Sequence, residues 1–342
     1  MKRVLLAGMA VLIALGSGVG LYFGWNIYPQ LLRVVLGPPA RPLRNISFER
    51  TVARVERGHY LVEGPLACFR CHSDRDWSKP GAPPVEGKIG AGHVFSDDGR
   101  PWLVAPNITP DRETGAGTWS DDMLARAIRE GIGHDGRALH PQMWWRAFAD
   151  LSDEDVASVV VYLRTIPPVR NLLPRTRLPW RIRLRITGDP QPLIAPHPRR
   201  ADSEYAPYGG YLASVADCVG CHTDWYHPGS GVNEQFFGGG NPIWSPKGEV
   251  FSTNITGDPS GISYYDAAMF IRVLRTGKVG ARVLSGAMPW YWYRNMTDDD
   301  LKFLFDTLKQ AKPVKHIVDN TEPPTYCPRC TQKHGGGSDN QR

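Results

Sequence analysis

The hydrophobic pattern opens with one long block. Lys2 and Arg3 precede an uncharged run from Val4 to Leu32, whose apolar heart, Val4 to Trp25, is 22 residues. As a helix that heart is ~33 Å long, against roughly 30 Å of hydrocarbon in a bilayer. Tyr22, Phe23, Trp25 and Tyr28 fall where an interfacial aromatic belt would lie, and Pro29 ends the helix. A cleaved signal peptide is the alternative, but there is no clear A-x-A site and the run is long for an apolar signal core. Residues 1–32 are therefore expected to form an uncleaved transmembrane anchor. Arg33, Arg41 and Arg44 blur the usual charge rule for its orientation.

Beyond residue 45 the pattern is helical, and it occurs twice. Gly58-His59-Tyr60-Leu61 opens the first copy and Gly209-Gly210-Tyr211-Leu212 the second. A Cys-x-x-Cys-His motif follows, then Asn-Ile-Thr at Asn107 and Asn254, then a helix (Ser120 to Glu130; Tyr264 to Arg275) that stops at Gly131 or Gly277. Met143 and Met288 come next. Each stands nine residues before a helix start, Ser152-Asp-Glu-Asp155 or Thr297-Asp-Asp-Asp300, with acids where the dipole favours them. Val156, Val159, Val160 and Leu163 make one apolar stripe; Leu301, Leu304, Phe305 and Leu308 make its counterpart. Pro168-Val169 and Pro313-Val314 close the copies. No long alternating strand pattern occurs. Leu178 to Ile186 alternates Arg with apolar residues but belongs to the connector between copies.

The expected architecture is mainly α: the anchor, a first domain at 45–170, an Arg/Pro-rich linker at 171–203, a second domain at 204–316, and a Gly-rich, Cys-bearing tail at 317–342. The 30 Pro and 36 Gly suit short helices joined by ordered loops. The net charge of +6 is uneven: eight Arg and one Asp between Arg170 and Arg200 give +7, leaving −1 elsewhere. A nucleic-acid partner is thus not expected, since the basicity belongs to one segment. Those arginines suit bidentate pairing with carboxylates, or a docking surface for an acidic partner or lipid headgroups.

All six cysteines lie in C-x-x-C pairs, and two pairs are followed by His: Cys68-Phe-Arg-Cys71-His72 and Cys218-Val-Gly-Cys221-His222. This is the attachment signature of haem c. One helical turn presents both thiols to one porphyrin edge for thioether formation, and the His points at the iron. Zinc ribbons and thioredoxin-like sites also use C-x-x-C, but they explain neither the His nor the repeat. Two covalent haems are therefore expected, with Cys68, Cys71, Cys218 and Cys221 as attachment points and His72 and His222 as iron ligands.

Met143 and Met288 are the expected sixth ligands. Their equivalence in the repeat argues against core filling, and a Met/His pair raises the reduction potential. His140 is a rival for the first haem. Met123 and Met269 read as packing, and Met296, beside a helix cap, is a poorer candidate. His59, His93, His134, His197, His227 and His316 lack a repeat relation and read as surface or hydrogen-bonding residues. The third pair, Cys327-Pro-Arg-Cys330, precedes Thr331 and should carry no haem. In an oxidising compartment a local disulfide is the plain expectation. The alternative is a metal or redox-active dithiol, with His334 as a third ligand.

Asn107 to Gly115 (Asn-Ile-Thr-Pro-Asp-Arg-Glu-Thr-Gly), Thr118-Trp119-Ser120-Asp121, Arg129-Glu130-Gly131, Asp135-Gly136-Arg137 and Met143 resemble a known family. It is that of the membrane-bound cytochrome c subunits of bacterial alcohol, gluconate and related periplasmic dehydrogenases. The resemblance covers most of residues 55 to 315 and is stronger in the first copy. It implies two class I cytochrome c domains in the periplasm. It also implies electron transfer from a dehydrogenase subunit, or another redox donor, towards a downstream cytochrome or terminal oxidase of the respiratory chain. The chain departs from the pattern in having two haem motifs where the best-known members have three, and an N-terminal instead of a C-terminal anchor. The competing class is a haem enzyme, such as a dihaem peroxidase or thiosulfate-oxidising cytochrome, which needs an open sixth position. A structural or assembly subunit is the third.

Overall fold

Local signals start and stop the helices where the repeat places them. A computed structural model describes residues 37–97, 100–187, 189–197, 205–224 and 236–341. The expected anchor at 1–32 lies outside the described residues, and no helix among them is long and apolar enough to cross a membrane. In chain order the helices are α1 (Val52–Glu63), α2 (Asp121–Glu130), α3 (Trp145–Phe148), α4 (Asp153–Leu163), α5 (Trp180–Ile186), α6 (Tyr205–Val215), α7 (Cys218–His222), α8 (Ala267–Thr276), α9 (Trp290–Tyr293) and α10 (Asp298–Gln310). Four small antiparallel pairs accompany them: β1 (His93–Asp97) with β2 (Arg100–Ala105), β3 (Pro242–Ser245) with β4 (Gly248–Phe251), β5 (Lys278–Val279) with β6 (Arg282–Val283), and β7 (Thr325–Tyr326) with β8 (Lys333–His334).

The caps match between copies. Ser120 Oγ accepts from the Met123 amide at 3.1 Å, Ser152 Oγ from Asp155 at 3.0 Å and Thr297 Oγ1 from Asp300 at 3.1 Å. The second copy of the middle helix begins at Ala267, later than Tyr264, because Asp266 caps it through the Met269 amide at 2.7 Å. Gly131 and Gly277 end α2 and α8 at φ 70° and 65°. Leu178 to Ile186, which alternates in sequence, contains a helix instead, α5, started after Pro179.

α1 packs on α4, and α6 on α10. Glycine permits each approach: a Cβ on Gly58 would overlap the Ser158 carbonyl of α4, and one on Gly209 would lie 2.5 Å from the Phe303 carbonyl of α10. Both carbonyls are backbone and cannot swing away. Gly58→Ala is accordingly expected to cost about 3 kcal/mol, the upper part of the overpacking range, read as a lowered thermal midpoint.

The two copies share one core, which contains Leu61, Phe69, Val159 and Leu163 with Tyr211, Leu212, Trp292 and Leu301. Their junction is reciprocal. Tyr60 of α1 donates its hydroxyl to Asp300 of α10, and the equivalent Tyr211 of α6 donates to the equivalent Asp155 of α4 at 2.7 Å.

Arg41 has a tertiary role. Its guanidinium pairs with Asp122 at 2.7 Å and Glu130 at 2.9 Å, both on α2 and both almost fully buried. The Arg44 and Phe48 amides donate to Asp122 and Asp121, laying the chain before α1 along α2.

Residues 317–341 fold onto the second copy. Asn320 exchanges two 2.8 Å hydrogen bonds with the Phe251 backbone, and Asn340 bonds both the Ile317 amide and carbonyl. Cys327 and Cys330 are buried free thiols, not the disulfide expected from sequence.

Candidate haem sites

Both Cys-x-x-Cys-His motifs follow a sharp backbone kink. Ala67 and Asp217, each just before the first cysteine, hold left-handed φ angles of 46° and 52°. The first motif then forms a 3-10 turn (Cys68–Arg70) and the second forms α7, so each thiol pair sits on about one helical turn. None of these four cysteines is disulfide-bonded. Burial pushes the thiols of Cys68 and Cys218 up to about 12.

The histidines are oriented identically. His72 Nδ1 lies 2.8 Å from the Pro106 carbonyl, and His222 Nδ1 lies 2.7 Å from the Thr253 carbonyl. A carbonyl only accepts, so Nδ1 carries the proton and Nε2 keeps its lone pair, the tautomer a metal needs. Burial lowers both imidazole pKa values and holds the rings neutral. Pro106 and Thr253 each precede the repeated Asn-Ile-Thr. Asn107 Oδ1 accepts from the Thr109 amide at 3.0 Å, and its amide donates to the Val169 carbonyl at 2.7 Å. Asn254 does the same with Thr256 at 2.9 Å and Val314 at 2.5 Å. The spacing between Asn-Ile-Thr and Pro-Val is thus a clamp that fixes the carbonyl above each histidine.

The methionines also sit in matching turns. The Met143 amide donates to the His140 carbonyl at 3.0 Å, and the Met288 amide to the Ser285 carbonyl at 3.1 Å. Both side chains are half-buried against the core. His140, the rival ligand, caps the Met143 turn, its Nδ1 accepting from the Gln142 amide at 3.2 Å. Met296 is 1 % exposed in the core.

Cys68, Cys71, His72 and Met143 line one cavity of about 1520 Å³. That exceeds the roughly 300–1,000 Å³ of pockets for drug-sized ligands and suits a macrocycle. His140 and Met123 reach the same cavity, so Met123, expected only to pack, is a second thioether there. The linker forms one wall: Leu173 and Ile186 are apolar, and exposed Arg175, Arg177 and Arg183 stand at the edge. The indole Nε1 atoms of Trp145, Trp290 and Trp292 are buried with no hydrogen-bond partner among the described residues. Residues 225–235, which follow the second motif, lie outside the described residues.

The first motif touches the second copy. Arg70, inside the first motif, donates to the Ala287 carbonyl at 3.1 Å, and Arg75 donates to Gly286 at 2.7 Å. Both carbonyls belong to the turn that carries Met288. Sequence spacing gives no sign of this clamp, because it joins different copies.

Over 68 % of its length the chain is 31 % identical to the fructose dehydrogenase cytochrome subunit of Gluconobacter japonicus. The chain is related to bacterial cytochrome c subunits. The gluconate 2-dehydrogenase cytochrome c subunit of Pantoea cypripedii is 26 % identical over 78 % of the chain, and a dihaem cytochrome c-type protein of Cereibacter sphaeroides is 27 % identical over 75 % of it. The matches cover 47 % of the fructose, 62 % of the gluconate and 80 % of the dihaem protein, so the chain spans less than two thirds of the first two. No family model matches the chain. Kinship with cytochromes c implies covalently bound haem c, and the cavity, the histidine tautomers and the paired thiols fit that group.

His59 pairs with Glu63, His93 with Asp74 at 2.8 Å, and His134 stacks on Trp119, as surface or hydrogen-bonding residues do. The His197 amide donates to Asp153. His227 lies outside the described residues. His316 is hydrogen-bonded too, its Nδ1 lying 2.8 Å from the Gly238 carbonyl, but it is 1 % exposed and also meets the tail cysteines.

Proposed function

We propose that the chain is a dihaem c-type cytochrome, anchored by residues 1–32 to the bacterial inner membrane with its haem domains in the periplasm. It would pass electrons from a dehydrogenase subunit to a downstream cytochrome or terminal oxidase of the respiratory chain. Residues 45–170 and 204–316 act as two class I cytochrome c domains. Cys68 and Cys71 hold one haem with His72 and Met143 as ligands; Cys218 and Cys221 hold the other with His222 and Met288. The observation that carries this reading is the duplication of one apparatus. Each copy has a buried neutral histidine held by the residue before Asn-Ile-Thr, and a methionine on a matching turn. Two protein ligands at each site suit electron transfer over substrate binding.

Bound haem supplies an iron that changes between Fe(II) and Fe(III). The chain's own residues keep both ligands in place, exclude water with Trp144, Trp145, Trp290 and Trp292, and bring the copies together through Arg70 and Arg75. The names of the fructose and gluconate dehydrogenase subunits support a dehydrogenase as donor.

Intact-mass measurement of the matured chain should give two covalent haems. Cys68→Ala/Cys71→Ala and Cys218→Ala/Cys221→Ala should each remove one. A single haem in the parent chain, or rapid CO binding to both reduced haems, would refute the dihaem electron carrier and favour a haem enzyme. Copurification from detergent-solubilised membranes would identify the donor.

A further inference from the structure

Four side chains that the haem sites do not use converge in the second copy. His316, Cys327, Cys330 and His334 are each at most 1 % exposed, and their ligand atoms all lie within 4.8 Å of one another. We propose that they form a structural zinc site of Cys2His2 type that fastens the C-terminal hairpin to the second copy.

The distances suit one tetrahedral ion. Bond lengths of about 2.0–2.1 Å to nitrogen and about 2.3 Å to sulfur give tetrahedral edges of about 3.3 Å for N–N and about 3.6 Å for S–N. His316 Nε2 lies 3.3 Å from His334 Nε2, Cys327 Sγ 3.6 Å from His316 Nε2, and Cys330 Sγ 3.1 Å from His334 Nε2. Proton accounting points the same way. His316 Nδ1 is bonded to the Gly238 carbonyl at 2.8 Å and His334 Nδ1 to the Gly335 carbonyl at 2.9 Å. Both Nδ1 atoms therefore donate, and in neutral rings both Nε2 lone pairs face one another. One cation at the centre is met by both lone pairs and by both sulfurs. Four protein ligands with no open position mark a structural site, and tetrahedral S2N2 donors favour zinc.

Comparison of the copies shows that the pocket is specific to the second. Gly92 and Gly239 both donate to the carbonyl of their motif histidine, which makes Ala91 equivalent to Gly238 and His93 to Gly240. In the first copy Asn171 Nδ2 donates to the Ala91 carbonyl at 2.9 Å. His316 holds the matching place and makes the matching bond to Gly238. What the histidine adds is a second nitrogen, aimed at the cysteines. Gly240, at φ 98°, makes the room: a Cβ there would stand 2.7 Å from His316 Cε1 and 3.3 Å from Cys330 Cβ. The hairpin β7–β8 delivers the other three ligands, closed by the Cys327 amide on the Gln332 carbonyl at 2.9 Å.

The test is metal analysis of the untagged, haem-loaded full chain, purified without added metal. One zinc per chain is expected beside the haem iron. X-ray absorption at the zinc edge should show two sulfur and two nitrogen neighbours. Cys327→Ser/Cys330→Ser should lose the zinc, at least tenfold, while its haem content stays unchanged. X-ray absorption on the parent chain decides the matter even if that variant fails to fold. A zinc-free parent chain, a Cys327–Cys330 disulfide seen as a mass lower by two hydrogens, or copper or extra iron in place of zinc would each overturn the proposal.

Discussion

Met143→Ala is expected to abolish the long-wavelength methionine-to-iron band of one haem in the oxidised protein and to lower that haem's reduction potential. Met288→Ala should do the same to the other. The drop should be on the order of 0.1 V or more, within the ~0.8 V that axial ligands span. The physical reason is that a thioether favours Fe(II) over Fe(III), so its loss favours the oxidised state. The first site has two possible substitutes on its cavity, Met123 and His140. If His140 takes over, the band is lost and the potential still falls. If Met123 takes over, the band survives Met143→Ala and disappears only in the Met123→Ala/Met143→Ala double variant. Absorption spectra with redox titration separate these cases. A band unchanged in Met288→Ala and in the Met123→Ala/Met143→Ala double variant would remove Met288 and Met143 from the ligand set.

Arg41→Ala is expected to destabilise the first copy by about 3–5 kcal/mol at neutral pH, the cost of leaving buried charge without its partner. The guanidinium faces Asp122 and Glu130 together, and each side chain is about 1 % exposed. Burial raises the Asp122 pKa, but hydrogen bonds from Arg41 and the Arg44 amide outweigh it and hold the carboxyl below its usual range. The sign follows from that depression. Stability from this pair is present above the unfolded carboxyl pKa of about 3.9 and is lost as pH falls through the lower folded value. The gap between parent and variant should therefore be widest near pH 7 and narrow below about pH 4. Denaturant titrations at several pH values check this; a gap independent of pH would mean that Arg41 acts through packing alone.

The repeat makes the candidate haem apparatus legible in the sequence alone. Motif, helix caps, methionine turns and closing Pro-Val pairs are local, and each recurs at nearly fixed spacing. What spacing cannot show is which backbone atoms meet. The carbonyls of Pro106 and Thr253 carry no side-chain signature, and the Arg70 clamp joins residues 217 positions apart. His316 is less legible. The repeat gives it no histidine counterpart, because Asn171 holds its place in the first copy, and nothing in the spacing shows that it lies beside Cys327, Cys330 and His334.

The Tyr60–Asp300 and Tyr211–Asp155 bonds are isologous, as in a two-fold homodimer, whereas the Arg70 clamp runs one way only, Gly220 standing in its place in the second motif. In a true homodimer any substitution would appear in both subunits at once. Here the copies are encoded separately within one chain, so one can change while the other keeps the parental arrangement. The Asn171 and His316 positions, and those of His93 and Gly240, show such divergence already in place. Joining two equivalent subunits into one polypeptide thus lets a symmetric interface carry asymmetric duties.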